Sequence, residues 1–221
     1  MTTLHKEEVR CDVCGGQSEC IRIVSTNALG PPDLDMRPRE MERSTMRHWV
    51  HRCPHCGYCA SELSESPTGA DAVVEKTEYK DQLKNPDYPE LANSFLCKAM
   101  VDRATGDLVE ATWALIRAAW ACDDSGSPEK ASACRQQAAQ MLEMAQADGQ
   151  DVAEQEGVSD AVLVDLLRRS GQMERAERVI ESHRDVISEE TIHRIFEYQS
   201  LLIREGDTSC HTVAEALGEE E

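Results

Sequence analysis

The chain has 221 residues, 40% of them hydrophobic but only 4% aromatic, with 42 Asp and Glu against 23 Lys and Arg for a net charge of −19. No apolar run approaches the roughly 18 residues that span a bilayer, and the first ten residues are charged, without the apolar stretch of a secretion signal. The excess negative charge repels nucleic acid and anionic membrane, and ten cysteines without a secretion signal point to a reducing cytosol.

The charge is uneven. Residues 1–66 carry 8 Lys and Arg against 10 Asp and Glu, whereas the remainder carries 15 against 32. Partner expectations therefore differ along the chain. Nucleic acid is disfavoured for the acidic tail but stays open for the first 66 residues, where Arg37, Arg39, Arg43, Arg47 and Arg52 face only Glu40 and Glu42 across 37–52.

Residues 1–10 read as a short frayed lead-in. Cys11-Asp12-Val13-Cys14-Gly15 follows, and its counterpart is Cys53-Pro54-His55-Cys56-Gly57-Tyr58. Two cysteines separated by two residues wrap one tight turn and put both sulfurs on one ion. Glycine after the second cysteine supplies the positive φ that such a turn needs. Two such pairs predict one structural zinc ion per chain, held tetrahedrally by Cys11, Cys14, Cys53 and Cys56. Cys59 forms a competing Cys-x-x-Cys with Cys56, and His51 and His55 are further candidate ligands. Glycine placement favours Cys53 and Cys56.

Between the pairs, 19–25 alternates as a strand, with Ile21 and Ile23 on one face. Residues 26–40 form an insertion that Gly30, Pro31, Pro32 and Pro38 keep irregular. Asp33, Asp35 and Arg37 within it admit two readings. One is a loop pinned by its own Asp–Arg pairs; the other is a recognition loop displayed from the ribbon. Residues 45–52 read as a returning strand anchored by Trp49.

The run Ser25-x-Asn27-x-x-Gly30-x-Pro32-Asp33-Leu34-Asp35-x-Arg37-Pro38, with Arg43, Trp49 and Cys53-Pro54-x-Cys56-Gly57-Tyr58, resembles a family of uncharacterised bacterial proteins. That family joins a split four-cysteine zinc ribbon to a tetratricopeptide-like helical tail. The resemblance covers about residues 10–60. It implies a bacterial cytoplasmic protein with zinc on the same four cysteines, and it implies no activity.

Residues 61–70 read as a linker, and the period then becomes helical. A polar helix is expected over 71–84, then helices over 90–105 and from 108. Gly106 ends the first of these and Asp107 caps the next, with Glu110 completing a capping-box-like pair. Further helices are expected over 128–146, around 162–167, from 173 and after Ser188. Gly106, Ala111, Leu115 and Ala118 share their spacing with Gly171, Ala176, Ile180 and His183, as in a degenerate tetratricopeptide repeat.

The expected fold is α+β, mostly α. A small β zinc ribbon at 1–66, with 26–40 inserted, precedes an antiparallel tetratricopeptide-like helical array at 67–212, and 213–221 is an acidic tail whose last residues, ending Glu219-Glu220-Glu221, are expected to be disordered. No Walker loop, dinucleotide-binding glycine pattern, His-Glu-x-x-His or nucleophile elbow is present. Cys97, Cys122 and Cys134 read as buried core thiols. The expected function is a non-catalytic, zinc-binding adaptor for a protein partner. The alternatives are a nucleic-acid-associated ribbon and a thiol redox sensor built on Cys59.

Overall fold

The computed structural model describes residues 1–183 and 186–219. The chain begins with an antiparallel hairpin of β1 (Thr3–Arg10) and β2 (Gln17–Ser25), the first knuckle forming its turn. The lead-in is thus a strand rather than a frayed end. Its exposed face hides the apolar alternation, because only Val9 of β1 is buried. The expected strand at 45–52 is mostly a 3₁₀ turn, Arg43–His48. Only β3 (His51–Arg52) is extended, pairing with β4 (Cys59–Ala60) across the second knuckle.

The helices follow as α1 (Ala70–Val74), α2 (Thr77–Leu83), α3 (Glu90–Thr105), α4 (Leu108–Asp124), α5 (Pro128–Ala147), α6 (Val158–Arg169), α7 (Met173–His183), α8 (Glu190–Glu205) and α9 (Val213–Leu217). The single polar helix expected over 71–84 is two short ones, broken where Lys76 turns extended. Short turns between long helices make sequential neighbours pack antiparallel. Gly106 ends α3 at φ 89°, and Asp107 accepts the Glu110 N–H at 3.0 Å. The Glu110 carboxylate does not return to the cap. It meets Lys98 at 2.9 Å, a buried ammonium that also holds Asp102 at 2.7 Å.

Alanines make α4 and α5 close neighbours. Ala111, Ala114, Ala118 and Ala119 face inward, as do Ala131, Ala138 and Ala139. Without a bulky side chain between them, two helix axes approach closely and pack well. Cys97, Cys122 and Cys134 are fully buried among them. Ala111 and Leu115, and the equivalent Ala176 and Ile180, are buried too.

The acidic tail begins with a helix. Thr212 and Glu215 form a reciprocal capping box that starts α9, so Val213–Leu217 is helical. Glu220 and Glu221 lie outside the described residues. No described helix is long and apolar enough to cross a membrane.

The hydrophobic core runs without a break from Val9, Leu34 and Tyr58 into the helices. Residues 26–40 join the two parts. Leu34 N–H donates to His211 O and Val213 N–H donates to Pro32 O, each at 2.9 Å. The loop therefore straps the ribbon to the start of α9.

Candidate metal centre

Each knuckle is built by the same local bonds. Gly15 N–H donates to Cys11 O at 2.7 Å, and Gly57 N–H donates to Cys53 O at 2.9 Å. Both glycines sit at positive φ, 72° and 82°, where a side chain would be strained. Cys11 N–H then donates to Gly16 O and Cys53 N–H to Tyr58 O, each at 2.8 Å.

The two turns bring Cys11, Cys14, Cys53 and Cys56 together, with all four sulfurs within 4.8 Å of one another. Cys11 Sγ is 3.8 Å from Cys56 Sγ, and Cys14 Sγ is 3.6 Å from Cys53 Sγ. A tetrahedral ion with metal–sulfur bonds of about 2.3 Å requires sulfur–sulfur edges of about 3.8 Å. The quartet is therefore spaced to hold one metal ion.

Around it, Gly16 N–H donates to Cys14 Sγ at 3.4 Å, and the Arg10 guanidinium lies against Gly15. Both offset the negative charge of clustered thiolates. Burial pushes the Cys53 thiol up, but N–H groups of Cys56 and His55 outweigh it and bring the thiol down to about 7.

The other candidate ligands do different work. His55 Nε2 bonds to Gln17 O at 3.0 Å, and its ring covers Gly16 so closely that a Cβ there would meet it at 2.4 Å. It latches one knuckle to the other. His51 stays in β3, outside the quartet. Cys59 points away, buried beside Cys97, with its N–H donating to Tyr79 Oη at 3.0 Å. Tyr79 Oη in turn donates to Gly57 O at 3.0 Å. This fully buried tyrosine on α2 fixes the back of the second knuckle. Its neighbours in sequence are polar, and only its own apolar ring hinted at burial.

Asp33, Asp35 and Arg37 are not displayed; all three side chains are buried. Asp35 Oδ2 accepts from Trp120 Nε1 at 2.8 Å and from Arg169 Nη1 at 2.7 Å. Arg37 Nη2 donates to both oxygens of Asp124 at 2.7 Å, and Arg43 Nη2 donates to Asp33 Oδ2 at 2.5 Å. The side chains point inward because their partners lie on α4, α6 and the 3₁₀ turn. The Asp–Arg pairing is thus mostly with distant elements rather than within the loop. Trp49 does act as an anchor, with its ring edge-on to Trp120 at 6.4 Å.

A second polar cluster surrounds His211. Its Nε2 lies 2.9 Å from Asp207 Oδ2 and 3.1 Å from Ser209 Oγ, and its Nδ1 lies 2.9 Å from Tyr198 Oη. The spacing suggests a nucleophile and base, but Ser209 Oγ–H and N–H both turn to Asp207 Oδ1. These bonds shape the turn between α8 and α9.

Comparison with protein-family models, with curated proteins and with solved structures finds no match to this chain. The four-cysteine quartet and the helical body are the features on which its functional reading stands.

Proposed function

We propose that the chain is a zinc-stabilised, non-catalytic adaptor, with a metal-tied ribbon mounted on a tetratricopeptide-like helical scaffold that binds a protein partner. The sulfur quartet carries this reading. Four thiolates at tetrahedral spacing favour zinc, and they leave no open position on which a metal could activate water. Such an ion holds a fold. The ten free thiols suit a reducing cytoplasm, as the resemblance to a bacterial family implies.

The internal pairing of Arg37 and Arg43 leaves fewer cations on the ribbon for phosphate contacts. The burial of Cys59 removes it from ready reach of an oxidant. Both observations favour the adaptor over the two alternatives.

The test has two parts. Elemental analysis of the purified protein is expected to give one zinc per chain. An affinity capture with the intact protein, performed with nuclease, is expected to retain a saturable protein partner. Iron in place of zinc, or capture abolished by nuclease, would overturn the reading.

A further inference from the structure

A cavity of about 460 Å³ opens where residues 26–40 meet α6, α8 and α9. Its apolar walls are Pro32, Met36, Val158, Ile192, Ile195 and Val213. Ile192 and Ile195 are nearly covered, whereas Met36 is 40% exposed. Met36 also has φ 64°, a left-handed conformation that is strained for a non-glycine residue. The turn explains that placement. Asp33 N–H donates to Arg37 O and Met36 N–H donates to Asp33 O, each at 2.9 Å. With Asp33, Asp35 and Arg37 all turned inward, Met36 is the side chain left on the outside.

Among the described residues, the charged lining is of one sign. Glu156 and Glu189 are exposed at the cavity, and Gln155 and Thr191 complete the polar lining. Glu156 accepts a 3.3 Å bond from Ser188 Oγ and forms no ion pair among the described residues. Among the described residues, no lysine or arginine lines the cavity.

We infer that this cavity docks a cationic amphipathic segment of a partner protein, with a large apolar side chain against Met36, Ile192 and Ile195 and flanking lysines or arginines at Glu156 and Glu189. The inference rests on the adaptor reading and names the surface and the partner's chemistry. An anionic membrane or a nucleic acid would be repelled by the carboxylates. A second copy of a chain at −19 would be repelled as well. A flexible thioether at the mouth adapts to different apolar side chains.

The test uses the full-length, metal-loaded protein and a fluorescently labelled leucine–lysine amphipathic peptide, read by anisotropy. A leucine–glutamate peptide and an oligolysine without leucines are the comparators. Saturable, salt-sensitive binding of the leucine–lysine peptide is expected, with none for leucine–glutamate. Met36→Asn, which tolerates positive φ, and the pair Glu156→Gln with Glu189→Gln are each expected to weaken it about fivefold or more, the effect of losing about 1 kcal/mol of contact. Glu78→Gln with Asp81→Asn, on α2, is expected to leave it unchanged.

Oligolysine binding as tightly as the leucine–lysine peptide would overturn the inference, because net charge alone would then attract. Equal weakening by the α2 pair would do the same, as would no effect of Met36→Asn. The adaptor reading is judged separately. If the Met36→Asn chain and the unaltered chain capture the same partner equally, the adaptor stands and the cavity is not its site. If the unaltered chain captures none, the adaptor fails, and the peptide titration still decides the cavity.

Discussion

The two strands of the β1–β2 hairpin together comprise 17 residues, as does α4, yet only Val9 and Cys20 of those strands are buried against ten residues of α4. A helix that hides so much apolar surface is stabilised by its neighbours. A two-stranded hairpin with so little burial is marginal by itself in water. It therefore depends on what holds its turn, the sulfur quartet, and on what clamps the adjoining loop, the buried polar contacts of Asp35. One part of the molecule is stabilised by packing; the other rests on a few costly buried bonds and on a sulfur quartet spaced to hold a metal ion.

Metal removal should separate the two parts most sharply. A high-affinity chelator under reducing conditions is expected to abolish hydrogen-exchange protection across Thr3–Arg10, Gln17–Ser25 and residues 51–60. Structural zinc contributes about 10–16 kcal/mol of apparent binding energy in small domains. The far-UV helical signal should keep most of its amplitude. If it falls in step, ribbon and helices form one cooperative unit and the contrast is lost.

The next largest effect belongs to the strap. Asp35→Ala removes the acceptor of the Trp120 N–H and of Arg169 Nη1, while Arg169 Nη2 keeps Asp123 at 3.0 Å. Leaving buried donors without their acceptor costs about 1–3 kcal/mol, read as a lower denaturant midpoint. Arg37→Ala should cost less, about 1 kcal/mol, since its partner Asp124 is 54% exposed. Equal losses would mean that the whole loop, and not one carboxylate, carries the clamp.

A pH effect should come from the helical side. Burial raises the Asp102 carboxyl from 3.8 to about 6 despite Lys98 beside it. Folding therefore favours its protonated form. That contribution is complete below 3.8 and is lost as pH rises through about 6. Asp102→Asn should flatten this part of the stability profile, a change of about 3 kcal/mol at most. Thermal melts of both proteins across that window would check it.

The smallest effect is expected on the hairpin surface. Lys6 and Glu19 pair at 2.7 Å, but both side chains are more than half exposed. Lys6→Ala should change stability by no more than about 0.5 kcal/mol. A larger loss would show that surface pairing, rather than ligation, holds the hairpin.

What could be read in the sequence follows the range of the causes. The cysteine knuckles are local, since Gly15 and Gly57 stand beside the sulfurs they serve. Helix ends at Gly106 and Asp107 are local too. The Thr212–Glu215 capping box follows the same local logic, though acidic neighbours mask it. Strand β1 was hidden because Leu4, Lys6 and Glu8 all face solvent, so no alternation betrays it. Nothing near Asp35 announces Trp120 or Arg169, so the inward turn of its carboxylate was beyond local pattern. The same holds for Tyr79 behind the second knuckle.

The bonds from Pro32 and Leu34 to residues 211–213 also set an order of events during synthesis. The knuckle partners, residues 11–14 and 53–56, leave the ribosome early, and their sulfurs can be joined while most helices are still unmade. The strap must wait for residue 213. Asp35 must likewise wait for Trp120 and Arg169 to be made, and before that its carboxylate stays in water. Contacts between such distant residues close late, because chain entropy opposes them. The nascent chain thus carries its knuckle pair on an unfastened loop, and that loop is fastened only after the helices between have been made.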